Sequence, residues 1–219
     1  MKVRLLFPED QSQGRIFEQL AYFAARRART MKGHHALMNE ARCITHERRA
    51  SFLRYILEEE WARDVAEFSF FAWDVEHAPS WLMTELLRHR FIAREWSPEQ
   101  RSKRAIHGER IPVVNPFDMH INYESWYGME SLITASQALM AQAHHVGEPA
   151  EKTRYAALEG SETAFCLAGN ARAVYDLVSQ RGSTKTIGNG KAHPVFQELA
   201  DTMYHQAREV CPMLSPKED

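Results

Sequence analysis

The apolar residues of this chain recur mostly at helical spacing, and that periodicity constrains the fold more than any other feature. Phe17, Leu20, Phe23 and Ala24 share one face of "GRIFEQLAYFAARRART"; Leu53, Ile56 and Leu57 share another in "SFLRYILEEEW", where Ser51 stands as an N-cap. After Pro79, Leu82 pairs with Leu86 and Met83 with Leu87 at four-residue spacing, with Ser80 as the predicted cap. A long helix is expected from Tyr123 to His145, stopped at Gly147, and a shorter one in "EPAEKTRYAAL" with Pro149 near its first turn. "SETAFCLAGNARAVYDLVSQR" reads as largely helical, and "PVFQELADTMYHQAREVC" as a final helix ended by Pro212.

Only two segments read as strands, "KVRLLF" and the aromatic-rich run from Glu67 to Glu76. Residues 97–120 carry Pro98, Gly108, Pro112 and Pro116 and read as an irregular charged loop; "GSTKTIGNGK" reads as a flexible insertion. Strands early and helices throughout define an α+β class, and 219 residues suit one domain with a real core.

Charge and cysteine usage narrow the function. A formal net charge of −2 argues against a broad nucleic-acid footprint, so any bound anion is expected to be small or local. Three widely spaced cysteines, Cys43, Cys166 and Cys211, form no CxxC pair, which points away from a disulfide framework or structural zinc and towards a reducing, cytoplasmic setting. The start turns polar within eight residues, unlike a secretory leader, and no apolar run approaches the ~20 residues that span a bilayer. His34/His35 and His144/His145 lack the spacing of a metal-binding helix, and neither GxGxxG nor a P-loop is present. No metal site is expected.

Two places concentrate candidate chemistry. Arg88, His89 and Arg90 follow the apolar helical run Trp81 to Leu87. Cations at a helix C-terminus are ordinarily a solvated end favoured by the dipole, but the buried run before them sets these at the rim of a core. On a continuous helix Arg88 and Arg90 point about 200° apart, so they serve different ligands or subunits, or the helix ends there. The second place is "GNARAVYDLVSQR". Asn170 and Arg181 lie eleven residues apart, on nearly one helical face and about 16 Å from each other, with Val174 and Val178 between. Such a face holds an elongated ligand or simply packs into the core; Arg172 and Asp176 have the spacing of an i,i+4 ion pair.

Together "RHR", then Gly147, Pro149 and Arg154 in "GEPAEKTR", then Asn170, Arg172 and Arg181, resemble the flavin-dependent thymidylate synthases. That family carries an Arg-His-Arg signature, a Gly-x-Pro-x-x-x-x-Arg segment and an Asn-x-Arg helix ending in arginine. The match in order and spacing runs from about Glu67 to Pro212. The resemblance implies a helix-rich single domain over residues 1–219 around a central, mainly antiparallel sheet. It implies a homotetramer with sites shared between subunits, a small nucleotide substrate, and FAD, NADPH and 5,10-methylenetetrahydrofolate as cofactors. Arg88, His89 and Arg90 would contact the flavin, Arg88 also closing the nucleotide site. Asn170 and Arg172, with Glu67 and Asp176, would line the FAD site. Arg154 would bind the uridylate, and Arg181 would face the uracil and favour ionisation at N3, as a fixed cation can.

The departures from the family pattern gather near the nucleotide. Glu85 stands where glutamine is usual. Ser97 follows the signature after six residues instead of seven, and Arg101 arrives late, so Glu95, Ser97 and Arg101 match nucleotide contacts only with a shifted register. A histidine usual before the second strand is missing, and the loop from Gly182 to Ala192 is longer than usual. The expected reaction is C5-methylation of dUMP or of UMP. A non-catalytic descendant of the fold, or a module using "RHRFIAR" and "RSKR" on phosphate backbones, is the contrasting reading.

Overall fold

The computed structural model describes residues 1–59, 63–88, 99–100, 112–113, 115–116 and 120–213. They form two compact units. The first takes Met1–Lys2, Val75–Arg88 and the described residues within Glu99–Phe165; the second takes Val3–Asp74 and those within Cys166–Asp219. A sheet of strand order β1-β2-β4-β3 comprises β1 (Lys2–Phe7), β2 (Phe71–Pro79), β3 (Glu99–Gln100) and β4 (Glu162–Gly169). The fold is helix-rich α+β on an antiparallel sheet, as the sequence suggested.

In the second unit, α1 (Gln11–Arg27) starts where the Asp10 carboxylate accepts from the Ser12 and Gln13 amides at 2.8 and 3.1 Å. It ends on Arg26 and Arg27, cations at the favourable end of the dipole. Helix α2 (His34–Cys43), which the sequence reading passed over, buries Leu37 and Ala41. Helix α3 (His46–Arg54) is capped by Thr45, so Ser51 lies inside the helix and is not its cap. Thr45 takes that role because it succeeds extended Ile44 and its hydroxyl accepts from the Arg48 amide. A π-helical turn, Tyr55–Glu59, comes directly after.

Glu67 belongs to a 3-10 turn, Arg63–Glu67, and β2 begins only at Phe71, later than predicted. The Ser69 hydroxyl donates to the Ala66 carbonyl, which closes the turn before the chain extends. Phe71 and Trp73 are fully buried and stacked, ring centroids 5.5 Å apart. Residues 162–169 are a strand where helix was expected. Thr163, Phe165 and Leu167 are buried while the residues between them are not, so a period of two overrides the local helix-formers Ala164, Leu167 and Ala168.

Helices α7 (Ala171–Arg181) and α8 (Pro194–Val210) complete this unit. Ala173, Val174, Leu177 and Val178 of α7 are buried, as are Phe196, Leu199, Met203 and Tyr204 of α8. The end of α8 lies so close to α1 that a methyl group on Gly14 would sit 1.8 Å from the Val210 carbonyl oxygen. Only glycine fits there.

The first unit holds α4 (Ser80–Arg88), α5 (Tyr123–His145) and the single turn α6 (Ala150–Thr153). Ser80 is the first residue of α4 and not a cap; its hydroxyl donates instead to the Glu159 carbonyl at 2.7 Å. Helix α5 has the predicted bounds, starts at the Asn122 cap and stops where Gly147 takes φ +80°. The helix expected over "EPAEKTRYAAL" is shorter: α6 passes into a 3-10 turn, Arg154–Ala156. Within the predicted loop, Glu99–Gln100 joins the sheet as β3. Among the described residues no helix is long and apolar enough to cross a membrane.

Candidate active site

Helix α7 and its N-cap carry four of the predicted residues, and the two ends of the helix are built differently. At the N-terminus, the Asn170 side-chain oxygen accepts from the Ala173 amide at 2.9 Å, and the Ser69 hydroxyl accepts from the Ala171 amide at 2.8 Å. Two of the amides that a helix start leaves unpaired are therefore taken by side chains, one of them from the segment before β2.

In the same first turn, Arg172 Nη1 donates to Glu67 Oε1 at 2.6 Å, and Nε lies 3.9 Å from Asp176 Oδ2. Arg63 stacks over the Tyr175 ring with Cζ 4.1 Å from its centre. Burial raises the Asp176 carboxyl above its ordinary value; Arg172 and Arg63 pull it back down and Glu67 pushes it up. Three predicted cofactor residues, Glu67, Arg172 and Asp176, thus form one half-exposed ionic cluster beside the Asn170 cap. Sequence reasoning missed Arg63 and Tyr175, whose partnership depends on the 3-10 turn and has no motif.

At the C-terminus of α7, Arg181 is half-buried with its guanidinium carbon 5.4 Å from the centre of the Phe196 ring on α8. The loop beyond it is not a loose insertion. Asp201 of α8 accepts from the Ser183 amide at 3.0 Å and from the Thr186 hydroxyl at 2.8 Å, and the Gly190 amide returns to the Gly182 carbonyl at 3.1 Å. Glycines at 182, 188 and 190 let the backbone cross itself, which is why a glycine-rich stretch is organised here.

Arg154 lies in the first unit, exposed, on the 3-10 turn after α6. Gly147 ends α5 and Pro149 opens the next turn, while buried Ser136 of α5 donates to the Ala156 carbonyl and fixes the turn on its far side. Glu85 is half-buried on α4, and Arg88 is the last residue of that helix. His89, Arg90, Glu95, Ser97 and Arg101 lie outside the described residues. Among the described residues no group of three or more His, Cys, Asp or Glu side chains could hold a metal ion.

The α+β fold and the comparisons with known proteins define a thymidylate synthase-like class of enzyme. The family model "Thymidylate synthase complementing protein" matches residues 15–213, so the chain belongs to that family, the flavin-dependent thymidylate synthases. Among solved structures it is similar to a UMP/dUMP methylase PolB from Streptomyces cacaoi, bound with 5-Br dUMP. That likeness has a TM-score of 0.75 at 14% identity, over 98% of this chain and 92% of the other. No curated protein matches it in sequence.

Proposed function

We propose that this protein methylates C5 of a uridine 5′-monophosphate. The observation that carries the reading is the α7 helix, with a capped, arginine-lined start at Asn170 and Arg172 and a ring-packed guanidinium, Arg181, at its end. When bound, reduced FAD supplies the hydride, NADPH restores the flavin, and 5,10-methylenetetrahydrofolate supplies the carbon. The donor set fits a dinucleotide. Arg172 gives Nη1 to Glu67 and points Nε at Asp176, so neither carboxylate occupies Nη2, and the carboxylates themselves can accept from ribose hydroxyls.

Arg181 is the residue assigned to chemistry. Packed on Phe196, its guanidinium favours the N3 anion of the uracil and primes the ring for bond formation at C5. Arg154 would bind the uridylate. Arg88, His89 and Arg90 would meet the flavin, with Glu95, Ser97 and Arg101 towards the nucleotide. As the family resemblance implies, the protein would assemble as a homotetramer with sites shared between subunits.

A second reading concerns the sugar. Glu85 replaces the usual glutamine, and a carboxylate accepts from a ribose 2′-hydroxyl that dUMP lacks. The similar fold of a UMP/dUMP methylase supports including UMP as a substrate. The test is the visible spectrum of the purified protein, and then methylation assays with dUMP and UMP. A yellow protein that methylates either nucleotide, with an R181A variant that keeps its flavin and loses turnover, is the expected result. A colourless protein that does not take up added FAD removes the proposal.

A further inference from the structure

We infer that Asp201 is a positioning residue for Arg181; the inference rests on the reading of Arg181 given above. Arg181 is the last residue of α7, so its side chain leaves a backbone whose direction is set by the loop from Gly182 onward. The Gly182 amide still bonds back to Val178 at 2.7 Å, and from Ser183 the chain depends on α8.

Asp201 Oδ1 accepts from the Ser183 amide, the second one past the helix end, and Oδ2 lies 3.4 Å from the same nitrogen. Oδ1 also accepts from the Thr186 hydroxyl at 2.8 Å. One turn earlier on α8, the Gln197 side-chain Nε2 donates to the carbonyls of Gly190 and Ala192 at 3.0 and 2.6 Å. Gln197 and Asp201 stand four residues apart, on one face of the helix, and grip the two limbs of the loop. Phe196, on which the Arg181 guanidinium lies, is the neighbour of Gln197.

The packing leaves little slack. A methyl group on Gly182 would meet Val178 at 2.6 Å and Asp201 Oδ1 at 2.8 Å, and one on Gly188 would meet the Gly182 carbonyl at 2.1 Å. The carboxylate is therefore wedged against the residue next to Arg181. Removing it leaves the Ser183 amide without its acceptor and the Thr186 hydroxyl with only the Ser183 carbonyl, at 3.0 Å, so the tie from the loop to α8 is lost and the helix end can shift. An ångström of misplacement at a catalytic guanidinium lowers turnover by about a hundredfold.

The experiment compares D201A, D201N, T186V and R181A as FAD-loaded full-length proteins, with steady-state kinetics on the uridylate and flavin content by absorbance. D201A is expected to lower kcat at least tenfold, with KM for the nucleotide within about threefold and flavin content unchanged. D201N keeps an oxygen that accepts from both donors and is expected to restore most of kcat. T186V, which keeps the shape of the side chain, is expected to lose a few-fold in kcat and decides the matter if D201A does not fold. Wild-type kcat in D201A or in T186V overturns the inference, as does D201N failing as badly as D201A. A loss of kcat that tracks loss of flavin also overturns it, because the role is then structural. R181A inactive with D201A fully active sinks this inference alone; R181A at wild-type rate sinks the assignment of Arg181 and this inference with it.

Discussion

Arg172 Nη1 meets Glu67 Oε1 at 2.6 Å, joining the first turn of α7 to a 3-10 turn 105 positions earlier in the chain. The two side chains are 34% and 41% exposed, so water screens the pair and its worth to stability is about 0–1 kcal/mol. Its value on the proposed function lies in orienting the guanidinium. Arg172→Ala is expected to weaken FAD binding about tenfold or more, read by flavin fluorescence titration, while Glu67→Gln moves the thermal midpoint by no more than about 2–4 °C.

Ser136 separates binding from chemistry in the first unit. Its buried hydroxyl donates to the Ala156 carbonyl and so holds the turn that bears Arg154. On the proposed function, Ser136→Ala raises KM for the uridylate several-fold with kcat nearly unchanged, and Arg154→Ala raises it at least tenfold. Steady-state kinetics on both variants check this; a fall in kcat at constant KM would contradict the role given to Arg154.

Glu40 ties α2 to α1. Its carboxylate accepts from Lys32 Nζ at 2.6 Å and from Tyr22 Oη and Arg26 Nε at 2.9 Å each. The Lys32 bond and the other two donors hold it down to about 2, while burial and the neighbouring Glu40 push the Tyr22 hydroxyl up to about 12. The folded value lies below the unfolded one, so the stabilisation is present above pH 4.5 and is lost as pH falls towards 2. Glu40→Gln is expected to cost about 1–3 kcal/mol at pH 7 and progressively less below pH 4.5, measured by chemical denaturation across that range.

Much of this architecture is legible from residues alone, for identifiable reasons. Helix α5 and helix α8 start and stop where Asn122, Gly147, Pro194 and Pro212 require, because caps and breakers act locally. β4 is not legible that way: Ala164, Leu167 and Ala168 suit a helix, and only pairing within the sheet selects the strand. Likewise Asn170, Arg172 and Glu67 are found through the family pattern, whereas the Arg63–Tyr175 contact joins residues far apart in sequence and has no motif. The loop after Arg181 reads as flexible from its glycines; the ordering comes from Asp201 and Gln197, which no local pattern connects to it.

Glu18 gives the opposite pH behaviour to Glu40. It is 1% exposed on α1, with Oε1 accepting from the Met213 amide at 3.1 Å and Oε2 meeting no hydrogen-bond donor among the described residues. Burial raises its carboxyl, and the Met213 amide, Arg49, His46 and Arg15 offset only part of that. A folded value above the ordinary 4.5 means that its contribution is fully present below pH 4.5 and is lost as pH rises through the raised value. Glu18→Gln keeps an oxygen for the Met213 amide and cannot ionise, so it escapes that loss. The variant is expected to match wild type near pH 4 and to exceed it in thermal midpoint by a margin that grows towards pH 8. Thermal unfolding at four or five pH values tests this, and a margin that shrinks as pH rises would mean that Arg49 and His46 hold the buried carboxylate ionised in the folded protein.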